Sequence, residues 1–185
     1  MISTEAPLYR MGIAAWMLNQ LAFLALGLTF YRVLRPVQPA VAFAMVALVV
    51  VSVPIGLTGA VHRLDALAWA TDGVSLADEE LRAAFAAQAI QSWRNTILVV
   101  QAFWGLWLLP LAFLLWRTRL VPTLLVAALA LGCFGYLLVV FGDVLDPTFA
   151  ESRLARMATL PASIGEIGTC LWLLIAGARR HRSHR

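Results

Sequence analysis

The sequence is poor in charge and in the side chains that bind metals. It contains no lysine and only three histidines, and charged residues make up 13% of its 185 residues. Metal catalysis commonly needs three protein ligands, and membrane haem needs histidines paired across helices, but the apolar segments hold no such set. The sequence therefore predicts no metal site, no cofactor and no metal-dependent catalytic centre.

Cysteine is scarce as well, and the charges that are present do not form a nucleic-acid surface. Cys133 and Cys170 both lie within apolar segments, so neither a disulfide framework nor a CxxC metal site is available. The formal net charge is +4, but the arginines fall at the ends of apolar segments instead of along one face. We therefore expect no nucleic-acid partner.

Hydrophobic residues dominate the remaining sequence and make up 62% of it. They form continuous stretches of about twenty residues, which match a hydrocarbon core of about 30 Å at the helical rise per residue. Because the stretches are continuous and do not alternate with polar residues, they favour helices over a membrane β-barrel. The sequence predicts a single all-α domain over residues 1–185, an integral membrane bundle of five transmembrane helices. The spans, named A to E, are 11–31, 40–61, 96–116, 121–141 and 160–178.

Prolines mark the short turns and also fall in the interior of spans B and C. Pro36 and Pro39 lie between span A and span B, and Pro122 lies at the very start of span D, just after Arg117 and Arg119. Pro54 and Pro110 lie inside spans B and C, where a missing backbone donor is expected to kink the helix.

The connection between spans B and C is the only long one. Within it, Ser75 followed by acids at 78–80 resembles the start of a helix, with the acids near the positive end of the helix dipole. The segment either lies on the membrane surface as an amphipathic helix or extends span C outward, and the sequence leaves both open.

Arginines are unevenly divided between the two sides of the predicted bundle. One side carries eight bases and no acid: Arg32, Arg35, Arg117, Arg119, Arg179, Arg180, Arg182 and Arg185. The other side carries six bases and nine acids. By the positive-inside rule the first side is cytoplasmic. This predicts a plasma-membrane protein with its N-terminus outside and its basic C-terminal tail in the cytoplasm.

Several short motifs follow one another along the chain in an order that can be compared with known families. They are Tyr-Arg-Val-Leu-Arg-Pro at 31–36, Gly-Leu-Trp-Leu-Leu-Pro at 105–110, Leu-Trp-Arg at 115–117, Pro122, Gly-Tyr-Leu at 135–137, Pro161, Gly-Glu at 165–166, Leu-Trp-Leu-Leu at 171–174 and Gly177. With this order and spacing, the sequence resembles the bacterial membrane proteins of domain-of-unknown-function family 4386. The resemblance covers nearly the whole chain and implies a membrane bundle, and no activity. Similar proteins usually carry a further hydrophobic helix before span A, so the resemblance implies six spans where five are present.

One acidic residue lies at membrane depth. Nine of the ten acids are in connections, whereas Glu166 is inside span E, about 7 Å below the outer boundary at the helical rise. Ionisable groups within spans usually face the bundle interior or a cavity. Gln101, Tyr136 and Asn19 lie at about 10 to 12 Å depth by the same arithmetic. We therefore predict an outward-facing polar pocket around Glu166, with these three residues in its wall and Arg94 or His62 near its mouth.

The polar residues at the depth of Glu166 also have a structural interpretation. A protonated Glu166 that is hydrogen-bonded to a neighbouring helix would explain them without a ligand. Gly165 and Gly168 beside Glu166, and the pair Ala128 and Gly132 in span D, predict that spans D and E approach closely enough for such a contact.

Three functions follow from these observations, and the sequence does not choose among them. The first is a membrane module that binds a small or lipid-like ligand near Glu166 or relays a proton there. The second is a structural or assembly subunit that associates with partner helices or with further copies of itself. The third is an intramembrane lipid-modifying enzyme, for which Ser163 shares a helix face with Glu166 but no histidine is present to act as base.

Overall fold

The computed structural model of the protein describes residues 5–71 and 78–182, with side chains through Ile175. The predicted helix start at Ser75 and the side chains of the arginine-rich tail lie outside the described residues. The described part contains no strand. It consists of α1 (Ala6–Leu34), α2 (Pro39–Ala70), α3 (Glu79–Leu106), α4 (Leu108–Thr118), α5 (Thr123–Leu145) and α6 (Arg153–Arg182), with a 3-10 turn at Phe149–Glu151.

Among the described residues, five helical segments are long and apolar enough to cross a membrane. The first two are α1 and α2, the third runs through α3 and α4 (Glu79–Thr118), and the last two are α5 and Arg153–Ile175 of α6. Their length and composition fit a hydrocarbon core that admits only segments with internally satisfied backbone groups. The predicted all-α membrane bundle with five spans is therefore confirmed.

The long connection between spans B and C is mostly an extension of the two helices. α2 continues to Ala70, nine residues beyond the predicted end of span B, and α3 already begins at Glu79. The Asp78 carboxylate accepts a hydrogen bond from the Glu80 backbone N–H (3.0 Å) and caps the start of α3. Beyond the predicted spans, the rings of Trp69 and Phe85 stack with centroids 4.7 Å apart. Of the two arrangements that the sequence left open, the structure has the helical extension.

The helix of span C is interrupted near Pro110. α3 ends at Leu106 and α4 begins at Leu108, with a turn at Trp107 between them. Pro110 has no backbone N–H to offer the carbonyl of Leu106 four residues earlier, which explains why the helix breaks at this point. In contrast, α2 passes through Pro54 as one continuous helix.

The described chain forms two compact units. The first contains residues 1–26 and 50–100, and the second contains residues 27–49 and 101–185. In the first unit, the Trp16 indole N–H donates a hydrogen bond to the Gly56 carbonyl oxygen (2.8 Å) and so joins α1 to α2. A β-carbon at Gly59 would lie 3.2 Å from the Trp93 ring of α3, so this glycine allows α2 and α3 to pack closely.

The second unit is built around the close approach of α5 and α6. A β-carbon at Gly132 would lie 2.6 Å from the α-carbon of Ala162, and one at Gly165 would lie 2.7 Å from the backbone nitrogen of Leu129. One at Gly135 would collide with a backbone carbonyl of α6. Glycines and alanines let helix backbones touch in this way, which is how membrane helices gain packing energy without a hydrophobic driving force. The predicted approach of spans D and E is confirmed.

The α5–α6 turn is held by side chains of its own acids. The Asp146 carboxylate accepts hydrogen bonds from the Thr148 backbone N–H (3.0 Å) and hydroxyl (2.8 Å). These bonds hold the pKa of Asp146 below its usual value because they favour the charged form. The Asp143 carboxylate accepts a further bond from the Ala150 N–H (3.1 Å). The turn is therefore ordered by local hydrogen bonds.

Candidate functional site

Three of the six predicted site residues belong to the second unit. Gln101 is half-buried on α3, Tyr136 is half-buried on α5, and Glu166 is half-buried on α6. Tyr136 lies against α3, because a β-carbon at Gly105 would be only 2.6 Å from that of Tyr136. Gln101 is one helical turn before Gly105 on α3. The fold thus brings polar side chains of three helices into one unit.

Glu166 on α6 and Tyr136 on α5 are both half-buried polar residues of the second unit. No hydrogen bond joins them in the part of the chain that the structure describes. Such polar groups at membrane depth are costly unless they have a partner, because lipid offers no hydrogen bonds.

The other three predicted residues belong to the first unit. His62 is half-buried on α2, whereas Arg94 on α3 and Asn19 on α1 are exposed. In contrast to Asn19, the next residue, Gln20, is fully buried, with 0% exposure. Gln20 lies over Gly56 of α2, where any β-carbon would collide with its amide nitrogen. Its amide nitrogen and oxygen have no hydrogen-bond partner among the described residues.

A second group of side chains in the first unit was not singled out by the sequence. The Arg63 guanidinium carbon of α2 lies 4.9 Å from the ring centroid of Tyr9 and 5.4 Å from that of Trp93. In the sequence Arg63 counts only as one more charge at a span end. The signal in the sequence that distinguishes it is the spacing of Gly56, Gly59 and Arg63, which places two small residues and the arginine on neighbouring turns of α2.

A cavity of about 420 Å³ opens in the second unit at the start of α5. Trp116, Arg119 and Trp172 are in its wall, and the Trp172 indole N–H donates a hydrogen bond to the Leu120 carbonyl oxygen (3.0 Å). Arg119 ends α4 in the left-handed conformation, with φ of 52°. None of the six predicted site residues lines this cavity.

The described residues contain no group of three histidine, cysteine or acidic side chains that could hold a metal ion. Ser163, which shares a helix with Glu166, is exposed, and its hydroxyl is directed to the Thr159 carbonyl oxygen of its own helix (3.4 Å). This hydrogen bond is local to α6 and gives Ser163 no base.

Comparison with known proteins gives one result. The family model described as "Domain of unknown function (DUF4386)" matches residues 1–177. No curated protein and no solved structure matches the chain. Because the family model covers nearly the whole sequence, including all six predicted site residues, the chain belongs to the domain-of-unknown-function family DUF4386.

Proposed function

We propose that this multi-pass membrane protein binds a small amphipathic molecule through a polar pocket formed by Glu166, Tyr136 and Gln101. The observation that carries the proposal is that the fold places Glu166, Tyr136 and Gln101, half-buried polar side chains of three helices, in one unit. These groups are acceptors for a positively charged or hydrogen-bond-donating head, and the apolar spans around them suit its hydrocarbon part. We propose no contribution from Asn19, because its side chain is exposed.

We further propose that the protein lies in the bacterial inner membrane, with its N-terminus outside and its C-terminus in the cytoplasm. The support for this orientation is the division of the arginines, which places eight bases and no acid on one side. In this orientation Glu166, near the start of the last span, is reached from the outer face.

The pocket is tested with a short alkylamine, hexylamine, against hexanol, which has the same chain without the charge. At ten times its dissociation constant, hexylamine is expected to stabilise the purified protein by about 1.4 kcal/mol, because it binds only the folded state. Glu166→Gln removes the negative charge but keeps the size of the side chain and one acceptor oxygen. It is expected to abolish the increase in the thermal unfolding temperature.

Ser163→Ala is the matched control, because Ser163 lies on the same helix and is exposed. It should retain the full hexylamine response. An equal response in the wild-type protein and in Glu166→Gln would remove Glu166 from the proposed pocket. An equal response to hexanol would show that binding does not depend on an interaction between the ammonium group and the Glu166 carboxylate.

A further inference from the structure

We propose that Tyr9, Arg63 and Trp93 form a second binding site, one for a phosphate group at the membrane boundary. All three residues belong to the first unit, whereas Glu166 and Tyr136 belong to the second. The site has the opposite charge from the proposed Glu166 pocket and does not depend on it. Its ligand is either the phosphate of a phospholipid headgroup or a small soluble phosphate.

The arginine is fixed by aromatic rings from two other helices. Its guanidinium carbon is 4.9 Å from the Tyr9 ring centroid and 5.4 Å from the Trp93 ring centroid. Such contacts hold an arginine side chain in one position. They also offset part of the free energy lost when the guanidinium leaves water, because the ring faces attract the cation. They do not neutralise the charge, and the five N–H donors of a guanidinium still need acceptors. The arrangement is therefore a positioned cation whose N–H donors suit an anion.

The two aromatic side chains also carry polar atoms without partners. The Tyr9 hydroxyl and the Trp93 indole nitrogen are buried, and neither has a hydrogen-bond partner among the described residues. Buried polar atoms of this kind are rare in native structures, and each calls for an explanation such as an absent ligand or water. The hydroxyl, the indole N–H and the guanidinium are all hydrogen-bond donors. A phosphate, which offers several acceptor oxygens and negative charge, matches such a donor set.

The surroundings of Arg63 fit a ligand at the level of lipid headgroups. A β-carbon at Gly12 of α1 would lie 3.2 Å from an Arg63 guanidinium nitrogen, so a larger residue there would press on the guanidinium. Tyr9, Arg63 and Trp93 are each two or three residues outside the predicted spans A, B and C. Arginine, tyrosine and tryptophan at that depth meet the phosphates of the bilayer.

The test measures ligand-induced thermal stabilisation of the full-length protein in detergent. The probes are dihexanoylphosphatidylglycerol, inorganic phosphate and dihexanoylglycerol, the last of which has the acyl chains without a phosphate. We expect a phosphate probe to bind and dihexanoylglycerol not to. Arg63→Gln should abolish binding. Tyr9→Phe and Trp93→Phe keep an aromatic ring beside Arg63 but remove one donor each, and each should weaken binding about ten-fold.

The unliganded protein distinguishes a binding role from a structural one. Because the Tyr9 hydroxyl has no partner among the described residues, Tyr9→Phe should not lower the melting temperature without ligand. Trp93→Phe also loses ring volume beside Gly59, so for this variant only the ligand affinity is compared. Arg10→Gln removes an exposed charge next to Tyr9 and should leave the affinity within about two-fold, as expected for a solvent-screened surface charge.

Binding of the phospholipid alone would identify a lipid headgroup as the ligand, and saturation by inorganic phosphate would identify a soluble one. Both outcomes support the site. Failure of both phosphate probes to bind would overturn it, as would unchanged affinity in Tyr9→Phe and Trp93→Phe. A fall in the unliganded melting temperature of Tyr9→Phe would also overturn it, because the hydroxyl would then be bonded within the protein.

Discussion

Gly135→Ala is expected to destabilise the protein by about 3 kcal/mol, since overpacking at a close contact costs of this order. The added methyl group would collide with the carbonyl oxygen of Ala158 on α6. A backbone atom cannot turn aside as a flexible side chain can, so the two helices would have to separate. Separation would also weaken the contacts at Gly132 and Gly165, which belong to the same interface. Denaturant unfolding in detergent micelles measures the effect.

Gly168→Ala is the matched control for this prediction. Gly168 lies on α6, but a β-carbon there would meet the end of the Leu125 side chain, at 2.6 Å. A leucine side chain can change rotamer, and alanine gains up to about 1 kcal/mol over glycine in a helix interior. We therefore expect a net effect below about 1 kcal/mol in either direction. Equal destabilisation by Gly135→Ala and Gly168→Ala would contradict the described α5–α6 interface.

Gln20→Met is expected to stabilise the protein by roughly 1 to 3 kcal/mol, the cost of leaving a buried polar group unsatisfied. Gln20 is fully buried, and neither atom of its amide has a partner among the described residues. Methionine has nearly the same length and flexibility but no amide to desolvate. The change should therefore remove a cost without opening a space over Gly56. Thermal unfolding of the purified variant measures it.

Asn19→Leu provides the comparison at the adjacent position. Asn19 is exposed, so its replacement should change the stability by less than about 0.5 kcal/mol. Destabilisation by Gln20→Met would mean that the Gln20 amide has a hydrogen-bond partner in the folded protein. A bound lipid or ligand would then be the first partner to look for, by mass spectrometry of the detergent-solubilised protein.

The features that the sequence predicted well are those that depend on the order of residues within one short segment. The five spans follow from continuous apolar length, because hydropathy measures what fits within a bilayer. The approach of α5 and α6 was expected from small residues, because Ala128 and Gly132 share one face of α5 and Gly165 leaves room on α6 for a neighbouring backbone. The turns at Pro36 and Pro122 follow from the missing backbone donor of proline.

The extended ends of α2 and α3 could not be read from hydropathy. Hydropathy indicates where a chain leaves the lipid. A helix, however, ends only where its backbone hydrogen bonding stops and other groups, such as a capping residue, satisfy the terminal N–H and C=O groups. The alanine-rich stretch after Asp78 has a high helix propensity and continues straight into the membrane-spanning part of α3. For this reason the predicted start of span C at Thr96 lies well inside the helix.

The polar residues show why a site is harder to predict than a fold. Asn19 and Gln20 are neighbours of similar chemistry on a helix that is apolar on all sides, so no amphipathic pattern indicates which of them faces inward. A rotation of about 100° separates them, and only the packing decides between them. The contacts of Arg63 with Tyr9 and Trp93 join three helices, and no spacing within one segment reveals them. Glu166 was identified because a charge at membrane depth is conspicuous by itself.

Cysteine accessibility in intact cells tests the central claim, a bundle of five spans with its arginine-rich turns in the cytoplasm, most directly. Cys133 and Cys170 are first replaced by alanine, and single cysteines are then introduced as Gln38→Cys in the α1–α2 turn and Ala150→Cys in the α5–α6 turn. Both positions are exposed. With a membrane-impermeant maleimide, we expect Ala150→Cys to react in spheroplasts and Gln38→Cys to react only after lysis. Reaction of Gln38→Cys in intact spheroplasts, or equal reaction at both positions, would contradict the account.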